Sequence, residues 1–409
     1  MSFSRTILLA SALLAAACVP KEAGHLKMDT EQLALIDSAV NATIAQGEIP
    51  GAVVGIVHDG KLVYEKAFGN QSVLPDTVAM TVETLFDMAS VSKCIGTTIA
   101  VMQLVEQGKL RLVDPVDSYF PDFRPWVDPL TGERVPITVQ QLLTHSSGLD
   151  AYLPDVASFL ERYGFNCPDT LKSYICTRTG RNFRPGTQQL YSCLNFITLQ
   201  YIVEQITGER LCDYVQRNVF DVLGLEHTCY FPVDAPENDA SALRRQALAE
   251  LCAPTELLPN GHLLKAEVHD PIAFRINGGN SGNAGVFSNV EDLAVIATAL
   301  MDGGAYEGRR ILSPLTVQRM FAIPATDAPE VGRALGWDSY AASPYTSGDV
   351  FPLEQLRGHT GYTGTSLLLD PPTRTAVIIL THRVHPEDKG SIARLRSVIA
   401  SIAAASLGR

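Results

Sequence analysis

The sequence is poor in charge. Charged residues make up 19% of its 409 residues and hydrophobic ones 46%, so a sizeable core can form and long disorder is excluded. Cations are outnumbered, 32 Lys and Arg against 44 Asp and Glu, for a net charge of −12. Such an acidic surface repels phosphate backbones and argues against a nucleic-acid partner. There is no repeat at a fixed period, no heptad pattern and no low-complexity tract, which excludes solenoids and coiled coils. No C-x-x-C pair or His/Cys cluster has zinc spacing, so neither a metal nor another cofactor is expected. The G-x-S-x-G turn of α/β-hydrolases is missing. The glycines between 278 and 285 lack the strand-to-helix context of a dinucleotide loop.

What is present begins with an address. Arg5 precedes an apolar run over 7–17 that is too short to span a bilayer. It ends Ala15-Ala16-Ala17-Cys18, which reads as an export signal over residues 1–17. Small residues followed by cysteine also resemble a bacterial lipobox, although Ala15 stands where leucine is usual. Lipidation of Cys18 and ordinary cleavage before it are the two outcomes. The expected location is the periplasm or cell envelope, with membrane contact only through that anchor. Seven cysteines remain, and an oxidising compartment permits disulfides. Cys167 and Cys176, close together in a stretch read as irregular, are the first pair to test.

A chain this long fits one large or two interleaved domains. A helical period covers 30–46. Strand-like runs at 52–57 and 62–67 flank His58-Asp59-Gly60-Lys61, a hairpin signal. A second hairpin joins 365–369 to 375–380, and a final helix covers about 390–407. Between the ends lie a nearly all-apolar helix over 91–106, stopped at Gly108, and a capping box at Thr138 and Gln141. Helices over 195–206, ended by Gly208, and 291–300 follow. The pattern predicts an α+β fold: an antiparallel sheet built from residues 28–100 and 290–409, flanked by helices, with a mostly helical subdomain over 101–289. A cleft between the two parts is the expected site.

Three elements carry chemistry. Ser90-Val91-Ser92-Lys93 opens the buried helix, and residues three apart share a helix face. Lys93 beside Ser90 can activate it as a nucleophile, whereas a surface helix would make them only a cap and a solvated lysine. Tyr191 lies in a turn before the helix over 195–206. Near Lys93 its phenol pKa is expected to fall, making it a candidate base. Gly358-His359-Thr360-Gly361-Tyr362-Thr363-Gly364 enters the 365–369 strand, where glycines allow close substrate approach. A backbone N–H from it, with that of Ser90, could form an oxyanion hole. His145 is read as structural. His269-Asp270 is read as a dyad or a turn, and Arg383 and His385 as solvated surface or, alternatively, as contacts to a substrate carboxylate.

In this order the three elements resemble those of the serine β-lactamase and penicillin-binding family, in its class C and D-alanyl-D-alanine carboxypeptidase branch. The likeness also takes in LLTHSSGL at 142–149, GKLRLVDPV at 108–116 and GNAGVFSNVED at 282–292, and extends over about 30–405. It implies a β-lactamase/transpeptidase-like fold with an all-helical subdomain. It implies Ser90 as nucleophile, Lys93 and Tyr191 as proton-handling partners, and the N–H groups of Ser90 and Tyr362 as the oxyanion hole. His359, Thr360 and Gly361 would line the substrate's carboxylate side. Cys193 departs from the pattern, standing where the family has asparagine beside the substrate. A thiol bonds weakly, at a cost on the order of 1–3 kcal/mol. Asn283 departs too, where related sequences often carry histidine. The implied activity is hydrolysis of an amide or ester, with peptidoglycan-derived peptides first and β-lactams or small esters as alternatives. A non-catalytic binder of cell-wall fragments is the reading of another class.

Overall fold

The computed structural model describes residues 26–233, 235–237, 239–325, 332–339 and 346–408. The segment read as an export signal, with Cys18, lies outside them.

Seven strands form the main sheet: β1 (Gly51–His58), β2 (Lys61–Ser72), β3 (Val78–Ala79), β4 (Asp338–Ser339), β5 (Arg357–Thr360), β6 (Ser366–Asp370) and β7 (Thr375–Thr381). Their order is β4-β5-β6-β7-β1-β2-β3, and neighbours run antiparallel. The chain therefore closes on itself: β1, from its start, pairs with β7, from its end. Asp59 and Gly60 join β1 to β2 with φ of +50° and +74°, the two left-handed residues that a tight hairpin requires.

Five helices matter for the site: α1 (Leu35–Ala45), α2 (Ile99–Glu106), α3 (Cys193–Thr207), α4 (Val290–Met301) and α5 (Ala393–Ala405). Every residue of β1 is buried, because the sheet is covered on both faces. Ala52, Val54 and Ile56 share a core with α1 and α5. Val53 and Val57 face the larger core, which includes α4 and the helical region. The fold is α+β. Among the described residues no helix is long and apolar enough to cross a membrane.

Gly55 permits the close seating of α4. A Cβ there would lie 2.3 Å from Val290 Cγ1, a stiff, fully buried side chain. Gly55→Ala should destabilise the fold by about 1–3 kcal/mol, read as a lower midpoint in thermal unfolding.

Two expectations fail. The stretch after Ser90 is not one α-helix. Ala89–Val91 forms a 3₁₀ turn and Lys93–Thr98 a π turn before α2 begins. Thr98 Oγ1 donates to Lys93 O at 2.8 Å and Thr97 Oγ1 to Gly282 O at 2.8 Å, so side-chain and tertiary bonds redirect the backbone. Nor do Cys167 and Cys176 pair. Cys167 precedes a helix, Pro168–Thr177, that carries Cys176 in its last turn. Nine residues of helical rise separate them by roughly 13 Å, too far for a disulfide. The seven described cysteines are all free.

Candidate active site

The site is assembled where the helical region meets the sheet. The short strand Phe86–Asp87 delivers the chain to Ala89, which adopts φ +44°. The buried Asp87 carboxylate holds that turn, accepting the Ala89 N–H at 2.8 Å and the His269 N–H at 2.7 Å. Ser90 follows. Lys93, fully buried, donates from Nζ to Ser90 Oγ at 2.9 Å and to Asn283 O at 2.8 Å, and lies 3.7 Å from Cys193 Sγ. The surface-lysine alternative is thus excluded.

The glycine-rich stretch before α4 supplies one of those acceptors. Gly282 runs so close to α3 that a Cβ would fall 2.1 Å from Phe196 O. This approach places the Asn283 carbonyl against Lys93. The contact is a backbone one, and no residue-type signal announces it.

Tyr191 comes from the turn before α3. Ser192 caps that helix, accepting the Asn195 N–H at 3.4 Å and donating to Asp150 O at 2.6 Å. His145 holds the turn from below: its Nδ1 accepts the Ser192 N–H at 3.0 Å, and its ring lies 4.3 Å from that of Tyr191. Burial keeps His145 well below the usual histidine range, so it is a neutral acceptor with a structural role. Lys93 Nζ lies 5.1 Å from the Tyr191 ring centroid, and Tyr191 lines the same two cavities as Ser90.

The electrostatics differ from expectation. Burial raises the Tyr191 phenol, and Lys93 opposes this only in part. Tyr191 is 36% exposed and lines both cavities. Burial likewise raises the Cys193 thiol despite Lys93. Burial by itself would lower the Lys93 ammonium, but Cys193 and Tyr191 beside it leave it above its ordinary value. Desolvation, omitted in a sequence reading, reverses the expected fall for Tyr191.

The loop from His359 to Gly364 is bonded to the turn that carries Ser90. Thr363 Oγ1 donates to Asp87 O at 2.8 Å and Thr365 Oγ1 to Met88 O at 3.0 Å. Gly361 sits in that junction, where a Cβ would fall 2.6 Å from Met88 O. Tyr362 is thereby brought beside Ser90, and both line the same two cavities.

His359 is buried and carries no charge. Its Nδ1–H donates to Thr360 O at 2.9 Å and its Nε2 accepts from Arg333 Nη2 at 3.0 Å. Burial pulls its pKa down to about 4, with Asp338 opposing. The positive charge at this edge belongs to Arg333, ion-paired with Asp338 on β4, to Arg383, 2.6 Å from Asp388, and to Arg396, whose Nη2 donates to Gly361 O at 3.2 Å and Thr365 O at 2.8 Å. Arg333 was missed in the sequence, where it stands in no motif. Arg383, read as solvated surface or a substrate contact, is largely covered and lies 4.6 Å from the Tyr362 ring centroid. His385 is also buried: its Nε2 accepts the Val73 N–H at 3.0 Å and its Nδ1 donates to Thr255 O at 2.9 Å. His269 and Asp270 are not a dyad. His269 pairs with Glu256 at 3.1 Å, and Asp270 accepts from the Tyr152 hydroxyl at 3.0 Å.

All the residues singled out from the three motifs therefore converge. Two cavities open on Ser90. One, of about 750 Å³, runs past Tyr191, Cys193 and Tyr152. The other, of about 420 Å³, runs past His359, Thr360, Gly361, Arg333 and Arg383. Among the described residues no group of three or more His, Cys, Asp or Glu could hold a metal ion.

The β-lactamase family model matches residues 36–401. The chain belongs to the β-lactamase family. Like other members of that family it is a serine hydrolase, related to penicillin-binding proteins. It is 30% identical over 378 residues to an N-acetylmuramyl-L-alanine amidase from Bacillus subtilis (strain 168), covering 88% of this chain and 82% of that protein. It is 30% identical over 388 residues to a putative D-alanyl-D-alanine carboxypeptidase from Escherichia coli (strain K12), covering 90% of this chain and 85% of that one. Two solved structures share the β-lactamase fold. EstCE1, described as a hydrolase with promiscuous acyltransferase activity, matches with a TM-score of 0.69 at 24% identity, over 92% of this chain and 99% of its own. A penicillin-binding protein homologue from Caulobacter crescentus matches with a TM-score of 0.67 at 18% identity, over 92% and 98%.

Proposed function

We propose that the protein cleaves an amide or ester through an acyl-enzyme on Ser90, releasing a leaving group that carries a carboxylate. The observation that carries this reading is the Lys93 Nζ to Ser90 Oγ contact of 2.9 Å, with the Tyr191 ring centroid 5.1 Å from Lys93 Nζ and the tyrosine lining the same cavities as Ser90. Ser90 Oγ attacks the carbonyl carbon, and its proton passes to the Lys93–Tyr191 pair. The N–H groups of Ser90 and Tyr362 receive the oxyanion. The C–N or C–O bond breaks, and the pair returns the proton to the departing amine or alkoxide. Water then takes the same path and frees Ser90.

Arg333 and Arg383 supply the positive charge where the leaving group would lie, and neutral His359 positions Arg333. Peptides ending in a D-amino acid fit this arrangement, as the name of the Escherichia coli relative, a putative D-alanyl-D-alanine carboxypeptidase, suggests. The export signal, with a lipid anchor at Cys18, would place the enzyme at the cell envelope. A fluorophosphonate should add its mass to the peptide that contains Ser90. An adduct elsewhere, or none, rejects the assignment.

The pH dependence follows from the raised Tyr191 and Lys93 values. Below them the pair holds its protons and offers little base, so kcat/KM should climb through pH 7–9, approaching tenfold per unit. A plateau already at pH 6, read from initial rates across that range, contradicts the protonated resting pair.

A further inference from the structure

The two cavities that meet at Ser90 differ in chemistry. Ser90, Tyr191 and Tyr362 line both. The smaller one has three arginines, Arg333, Arg383 and Arg396, against one carboxylate, Asp338. The larger one has walls of Leu258, Leu264, Val268, Phe274 and the Tyr152 ring. Leu264 and Val268 are buried, so these walls belong to the packed body of the protein. At about 750 Å³ the cavity is large enough for a drug-sized ligand. An acetyl or alanyl group would leave most of it empty.

The ionisable side chains of that cavity are largely committed to each other. Glu256 is 3.1 Å from His269, and His262 is 2.8 Å from Glu267. Asp270 accepts from the Tyr152 hydroxyl at 3.0 Å and the Ala273 N–H at 2.8 Å. Asp388 pairs with Arg383 at 2.6 Å. Arg275 is exposed to solvent. A ligand reaching inward therefore meets mainly carbon, and burying a charged group there without a partner is costly.

We infer that the acyl half of the substrate is a bulky apolar chain, so that the enzyme hydrolyses N-acyl amino acids. This rests on the acyl-serine reading above and deepens it. The apolar chain fills the larger cavity, the scissile carbonyl lies at Ser90, and the amino acid's carboxylate faces Arg333 and Arg383. The reaction is R–CO–NH–CHR′–COO⁻ + H₂O → R–COO⁻ + ⁺H₃N–CHR′–COO⁻. The carbonyl–nitrogen bond breaks, Ser90 Oγ carries the acyl group in between, and the amine leaves with the proton from the Lys93–Tyr191 pair.

The test is release of free alanine from N-acetyl-, N-hexanoyl- and N-decanoyl-alanine, in D and L forms, with N-decanoyl-alaninamide as the uncharged control. The expected result is a kcat/KM that rises about fourfold per added methylene. The alaninamide should be at least tenfold poorer than decanoyl-alanine. Leu258→Glu and Phe274→Glu, two separate variants, should each flatten the chain-length series. Fluorophosphonate labelling of Ser90 is run in parallel. Equal rates along the series, or no alanine released, with Ser90 labelled, overturns the inference and leaves the serine assignment standing. A rise with chain length that persists unchanged in either folded variant also overturns it. No labelling of Ser90 removes both.

Discussion

Ser90→Ala is expected to lower turnover by about 10⁴-fold or more and to abolish fluorophosphonate labelling. The effect should be this large because no neighbour can take over. Ser92, two residues on, is fully buried, and its Oγ is occupied by the Val286 N–H at 3.1 Å. Cys193 lines the cavity, but burial raises its thiol, so little thiolate exists to attack. Lys93 Nζ would lose one acceptor and keep the Asn283 carbonyl at 2.8 Å, so the fold should survive the change. Burst and steady-state kinetics on an activated ester, with an unfolding curve as control, measure it. Residual turnover within tenfold of the unmodified enzyme would mean that another group forms the acyl-enzyme.

Tyr191→Phe is expected to cut turnover by roughly 10²- to 10⁴-fold, the usual scale for loss of a general acid–base group. The substitution removes one oxygen and keeps the ring that packs 4.3 Å from His145 and 5.5 Å from the Arg333 guanidinium. Binding should change little, so the loss belongs in kcat. The rise of rate with pH should also change form, because Lys93 alone would then set it. Near-normal kcat in a folded variant would leave Lys93 as the base and Tyr191 as a wall of the cleft. The two variants separate the roles: loss of Ser90 removes the covalent step, whereas loss of Tyr191 should leave slow labelling of Ser90 intact.

Much of the fold could be read from local signals. The Asp59-Gly60 turn, the Thr138–Gln141 capping box and the Gly208 end of α3 are decided within a few residues, and the structure shows each of them. Ser90 and Lys93 also meet as a three-residue spacing requires, even though the turn between them is not α-helical. What could not be read depended on distant chain. Cys167 and Cys176 looked pairable until a helix separated them. His385 and Arg383 looked solvated, yet the loop around Thr255 covers one and Asp388 and Gly390 bond the other. Arg333 became part of the site only because Asp338 and His359 meet it across strands.

The sequence by itself determined the strand and helix pattern and the identity of the serine, the lysine and the tyrosine, because side-chain period and short motifs act over a few residues. The tertiary structure decided the ionisation of the tyrosine and of His359, since desolvation depends on what packs around a group. It also decided that arginines flank one side of Ser90 and carbon the other, since those walls come from segments far apart in the chain.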